Sequence, residues 1–518
     1  MLFNSYAFIF GFLPIFLTVL FLVARWQPQC VVPALVAASL LFYAYWDVRY
    51  LLLLAASVTV NFSLARLMIL PGGSRGRRTL LTLGLVLNLG GLFFFKYFDF
   101  FSRTVNAVSP AHWPILGLVL PLGISFFTFT QIAFLVDTYR GEVTVVRWLD
   151  YVLFVTYFPH LIAGPILHHK EMMPQFAAAR HMRLRTSEIA AGLAMFTIGL
   201  AKKVLLADSF ARYATPVFAA ASAGAHPRMV AAWSGALAYT LQLYFDFSGY
   251  CDMAVGISKA IGIRLPANFN SPYQAASLID FWRRWHITLS RFLRDYLYIP
   301  LGGNRRGLVR RHLNLFATML LGGLWHGANW TFVIWGALHG AGLIVNHAWR
   351  AFTPRARWAA HAAVRCFNWT LTMLTVVTAW VIFRADSLGT AARILRGMAG
   401  ANGLTLPMRI GVWDRALGGF LSRHGIGFTG SFLLANESGN NSPDTYARQF
   451  FCYLILAGLL LLGPNSNQIL EYYTPVLNPP PAGRAIKLDR LWGVSAGLLF
   501  ATCLLFMGRK SEFLYFQF

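Results

Sequence analysis

The chain has 518 residues, 57% hydrophobic and 12% charged, with a net charge of +25 and a mean hydropathy of +0.55. Soluble domains carry about 25% charged residues, whereas apolar runs of about 20 residues, enough to cross ~30 Å of hydrocarbon as a helix, recur here from end to end. This excludes a soluble domain, and it excludes a β-barrel, whose segments alternate over about ten residues. The expected class is an all-α polytopic integral membrane protein. The basic residues cluster in short gaps between apolar runs, as cytoplasmic loops do. They suit an anionic lipid surface or an anionic ligand, and no nucleic-acid partner is expected.

In chain order, spans are expected at about 6–24, 31–46, 49–69, 79–101 and 114–136. Residues 6–24 lack a basic start and a clear small-residue cleavage site, so they read as the first span and not as a leader. Arg75, Arg77 and Arg78 place the gap 71–79 in the cytoplasm and, counting back, the N-terminus outside. Residues 148–169 are long enough to span. Both flanks are basic, however (Arg147 before; Lys170, Arg180, Arg183 and Arg185 after), and Pro159, Gly164 and Pro165 interrupt a helix. This segment is expected to be broken or re-entrant, lining a cavity.

Further spans are expected at 187–206, 229–261, 312–330, 331–350, 361–383, 447–463 and 491–508. The one long polar excursion, 384–449, falls outside by count, with a short amphipathic helix at 388–399. Asp246 and Asp252 sit within an apolar run and lie on different helix faces unless Gly249 bends the helix. Intramembrane carboxylates are paired or functional, and a pairing with nearby arginines is the plainer reading. The five cysteines, Cys30, Cys251, Cys366, Cys452 and Cys503, are scattered without metal-ligand spacing and read as packing residues.

Chemistry concentrates in Phe281–Trp330, which holds eight arginines, four tryptophans and three histidines. At 100° per residue, 278–298 forms an amphipathic helix lying in the interface. Trp282, Trp285, His286, Leu289, Phe292, Leu293 and Tyr296 make its apolar arc, with Arg283, Arg284, Arg291, Arg294 and Asp295 opposite. Pro300, Gly302 and Gly303 end it, and a basic loop with Arg305 and Arg306 follows. A helix starting near His312 then carries His326 into the bundle, about 20 Å up. Trp325 and Trp330 would wall the space that Gly322, Gly323 and Gly327 leave open. Histidine suits proton transfer near neutral pH, and HExxH and P-loop patterns are missing. On residues alone, His326 is as much a packing residue as a catalyst, and for His339 packing leads. Acyl transfer by a histidine base, with a basic mouth for an anionic acyl carrier, fits this set.

The stretches FWRRWHITLSRFLRDYLYIPLGGNRRG and NLFATMLLGGLWHGANWTFVIWGALHG resemble the membrane-bound O-acyltransferase family, in particular its bacterial polysaccharide-acetylating branch, which serves alginate and cellulose. LPLGISFFTF, YFPHLIAGPIL, QLYFDFSGYCDMAVG, NFNSPY, VIFRAD and the terminal FLYFQF support it. Cys251 stands where that pattern has serine, and Asp280 where it has glutamate.

The resemblance implies a helical bundle with a central tunnel and re-entrant or amphipathic cytoplasmic helices. Residues 1–136 would form N-terminal spans, 137–383 the catalytic core, 384–449 an extracytoplasmic region and 450–518 the last spans. It implies His326 as general base or transient acyl carrier, with His286 assisting. Trp282, Arg283, Arg284, Trp285, Arg305, Arg306, Trp325 and Asn329 are donor-binding candidates. His160, Asp246, Asp252, Asp280 and His339 are structural or tunnel candidates. The donor would be acetyl-CoA, with no bound cofactor and no metal. Partners would be a periplasmic SGNH-like acetyltransferase and other polysaccharide-modification proteins, and the setting a bacterial inner membrane. The rival readings are a transporter or export component without covalent chemistry, and D-alanyl transfer to teichoic acid.

Overall fold

The computed structural model describes residues 1–70, 73–110, 112–181, 185–352, 361–407, 427–429, 443–470 and 490–508. Arg183, residues 408–426 and 430–442 of the loop 384–449, the Pro-rich loop before residue 490 and the FLYFQF end lie outside these. The described chain is a bundle of helices. Five are long and apolar enough to cross a membrane: Ala7–Trp26, Val48–Ile69, Ser74–Val108, Thr186–Ser222 and Ala362–Arg384. The protein is therefore a multi-pass membrane protein. The only strands among the described residues are a pair of three residues each, Thr405–Pro407 and Gly427–Thr429, paired in parallel.

The broken segment takes the form that its prolines and glycine dictate. Trp148–Thr156 and Phe158–Leu161 are short helices, Tyr157 breaks between them, and His169–Ala178 resumes after a non-helical stretch. Nine residues rise only about 14 Å, too little to cross. The break is held by rings: Phe158 packs 5.1 Å from Phe42 and 5.2 Å from Phe16, centroid to centroid. The stretch 151–167 is buried throughout.

Three expectations need correction. Residues 114–136 are not one span: the helix begins only at Ile124, after Gly123 in the left-handed region (φ 71°). Before it the chain runs without helix, because side chains take its backbone polar groups. Asp99 accepts from the Leu116 and Gly117 amides (2.8 and 2.9 Å), and Tyr43 donates to Leu122 O (3.1 Å).

The span predicted at 187–206 continues to Ser222, carried through Lys202–Ala207 by a π-helical turn. It packs antiparallel on Met229–Ala260, a single 32-residue helix that Gly249 does not interrupt. Gly249 instead permits contact: a Cβ on the facing Gly199 would lie 2.5 Å from Gly249 O. Asp246 and Asp252, ~120° apart on that helix, straddle the contact. Their partners are adjacent lysines and not arginines: Lys203 to Asp246 at 2.7 Å, and Lys202 to Asp252 at 2.6 Å.

Finally, 278–298 is not one interfacial helix. Leu278–Arg284 and Ile287–Leu293 are separate helices, with Trp285 extended and His286 left-handed (φ 44°, ψ 55°) between them. Its apex is buried, so the segment dips into the bundle.

Candidate active site

His326 is the last residue of the Gly307–His326 helix, and Gly327 leaves it in an extended conformation. The exposed Arg305 and Arg306 stand at the other end, so the helix separates them from His326 by about 30 Å. The His326 side chain is 9% exposed and sits edge-on among Trp325, Trp335 and Phe383, at 4.9, 5.2 and 5.2 Å. With Trp46, Lys96, Pro121, Ser125 and Ile162 it lines a cavity of about 250 Å³.

His286 is fully buried on the far side of Trp325, its ring 6.2 Å away. Its protonation follows from its neighbours. Asn268 Oδ1 accepts from the Thr288 amide (3.3 Å) and hydroxyl (2.9 Å), so the atom 3.0 Å from His286 Nδ1 is an oxygen. Nδ1 therefore carries the proton. Nε2 has a bare lone pair and no hydrogen-bond partner among the described residues. Thr288 Oγ1 also accepts from Ile166 N (3.0 Å), tying the broken segment to this apex.

His339 has the opposite tautomer. Its Nδ1 accepts from Trp282 Nε1 (3.3 Å), so the proton sits on Nε2, which has no partner among the described residues. Trp335 bridges His326 and His339, with ring centroids 5.2 and 4.8 Å away. The Nε1–H groups of Trp325 and Trp335 are likewise buried without a partner. Such groups cost free energy unless something occupies the space beside them. The cluster thus offers a bare imidazole nitrogen and several N–H donors in an apolar sleeve. That is equipment for moving a proton and stabilising a developing oxyanion.

The structure gathers His286, His326, His339, Trp282, Trp285 and Trp325 around this centre. Arg283 is exposed, and Arg284 pairs with Asp280 at 3.0 Å. Asn329 lies at the His326 end, where it accepts from Thr331 N and donates to Asp386 O. His160 is buried, its Nε2 bonded to Phe154 O (3.1 Å). Trp330, expected to wall the space, is 48% exposed and packs on Phe100.

Sequence reasoning missed Asn268 and Lys96, although a lysine inside an apolar span is itself a signal. It also missed a group with metal-ligand chemistry, Asp137, His168 and His169, whose donor atoms lie within 4.8 Å. Tyr296 already engages two of them, donating to Asp137 Oδ2 (2.6 Å) and lying 2.9 Å from His168 Nε2.

Residues 136–382 match the membrane-bound O-acyltransferase family. The chain is 41% identical to the peptidoglycan O-acetyltransferase of Helicobacter pylori, over 91% of this chain and 97% of that one. It is 44% identical to a probable alginate O-acetylase of Azotobacter vinelandii, over 77% of this chain and 78% of that one. The teichoic acid D-alanyltransferase of Bacillus subtilis is 26% identical over 55% and 71%. These similarities, over a multi-pass helical bundle, define a membrane-embedded transferase. The chain belongs to the membrane-bound O-acyltransferase family and is an O-acyltransferase.

Proposed function

We propose that the protein transfers acetyl from acetyl-CoA, taken at the Arg-rich face, to a polysaccharide acceptor served from the opposite face of a bacterial inner membrane, with His326 as the reacting base. The observation that carries this reading is the pairing of two buried histidines across Trp325, with Trp325, whose indole N–H has no partner among the described residues, and His326 lining one cavity. His286, which presents a bare Nε2, assists proton transfer. Arg283, Arg284, Arg305 and Arg306 meet the donor phosphates. A periplasmic acetyltransferase partner takes the acetyl group onward.

Peptidoglycan is the first acceptor to test, because the similarity to the Helicobacter pylori protein runs over 91% of this chain. An exopolysaccharide such as alginate or cellulose is the second, supported by the alginate O-acetylase relatives at 44% identity and below over 77% of the chain.

The test is purified protein with radiolabelled acetyl-CoA and candidate polymers, with and without a periplasmic partner. Label should reach a polymer, and His326→Ala should cut transfer by about 10²–10⁴-fold while the protein still inserts. Normal acetylation by His326→Ala would overturn the assignment.

A further inference from the structure

We propose that Lys96 is a positioning residue for His326, its ammonium clamping the open end of the helix that carries the histidine. The observation is independent of the histidines. Lys96 lies within the Ser74–Val108 span, with no carboxylate partner among the described residues. A half-buried ammonium inside a span without a counter-charge is expensive, and a methionine of similar shape would avoid that cost.

What the charge meets is backbone. Lys96 Nζ donates to Trp325 O (2.7 Å) and His326 O (3.2 Å), with Ser125 Oγ at 3.3 Å. Tyr97 OH donates to Leu324 O (3.0 Å). The final turn of any helix leaves its carbonyls without intrahelical partners and carries partial negative charge. Here the carbonyls of three successive residues, Leu324 to His326, are taken by two adjacent side chains of one neighbouring turn. That turn, Phe93–Tyr97, is π-helical, an irregularity often found at functional sites.

The clamp has a reason to exist. Gly327 leaves the helix immediately after His326, and Gly322 and Gly323 precede it, so nothing in the local sequence stiffens this end. A reacting imidazole must be held within a fraction of an ångström of its target, and misplacement by about 1 Å costs about 10²-fold. Lys96 and His326 also line the same cavity. The clamp therefore stands beside the reacting group and not at a distant packing contact.

The inference rests on His326 being the reacting base. The experiment compares wild type, His326→Ala, Lys96→Met and Lys96→Arg in lipid nanodiscs, measuring kcat and donor KM for acetyl transfer together with thermal unfolding. Lys96→Met is expected to lower kcat about 100-fold with donor KM little changed. Lys96→Arg, which keeps the charge and the donors, is expected to recover at least a tenth of wild-type kcat. Lys96→Met within threefold of wild type overturns the proposal. So does an equal kcat loss in both variants that tracks lowered unfolding temperature, since that is a packing role. If His326→Ala retains wild-type kcat, the assignment of His326 fails, and that result reads separately from either Lys96 variant.

Discussion

His286 occupies a backbone conformation that few non-glycine residues adopt, at φ 44°. Strain of this kind persists only where the surroundings fix it, and it clusters at functional sites. Here Asn268 does the fixing: its Oδ1 accepts from the His286 ring and the Thr288 amide, and its backbone carbonyl accepts from the Ile287 amide. Backbone and imidazole requirements can be separated by substitution. His286→Asn, tolerant of left-handed backbone, should unfold close to the wild-type temperature yet lose about 10²-fold or more of acetyl transfer. His286→Val, β-branched at positive φ, should additionally lose about 1–3 kcal/mol of stability. Equal thermal unfolding of the two variants would contradict the backbone part. The sequence marked His286 as awkward but could not orient it, because Asn268 is a long-range partner with no periodic relation to it.

At the scale of elements, apolar length located most spans and failed where backbone was satisfied by side chains. Residues 114–123 are as apolar as a helix, but the Asp99 carboxylate and the Tyr43 and Tyr50 hydroxyls, from other segments, take backbone groups that a helix would use. The 278–298 segment has a clean amphipathic arc, yet it is broken at Trp285–His286, where burial of the apex outweighs helical continuity. The long helix pair shows the converse. Its glycines and charges were visible in sequence, but their partners were not. Asp246 and Lys203 are 1% and 2% exposed at the side chain. Removing the sole partner of a buried charge costs about 3–5 kcal/mol; Lys203 keeps Asp208 at 2.9 Å, so Asp246→Leu should lower thermal stability in detergent by less than that while leaving donor affinity in the surviving folded fraction unchanged. A stable Asp246→Leu protein would show that the pair is not needed to join the two helices.

For the whole molecule, class and family were legible because composition and the WRRWH and LWHG stretches are local. The architecture of the site was not, because it joins segments far apart in the chain. The loop that presents Asn268 is a case in point. Asn465 Nδ2 bonds Asn270 Oδ1 and Ser271 Oγ, Asn467 Nδ2 bonds Phe269 O, and Lys202 Nζ bonds Ser466 Oγ. Each such bond is worth about 0.5–1.5 kcal/mol. A chain ending at Gly463 keeps both histidines but loses all of these contacts. It should reach the membrane and show transfer lowered by about tenfold or more. Full activity in that truncation would show that the loop holds itself.

The same stitch has a consequence for the protein's birth. Asn270 and Asn465 are 195 residues apart, and at about 5–20 residues per second a ribosome takes ~10–40 s to cover that interval. For the later part of that time, once His326 has been made, the half-made chain carries both histidines while the loop behind His286 lacks this tie. The loop behind His286 thus gains this tie only after the whole stretch that matches the family, residues 136–382, has been made.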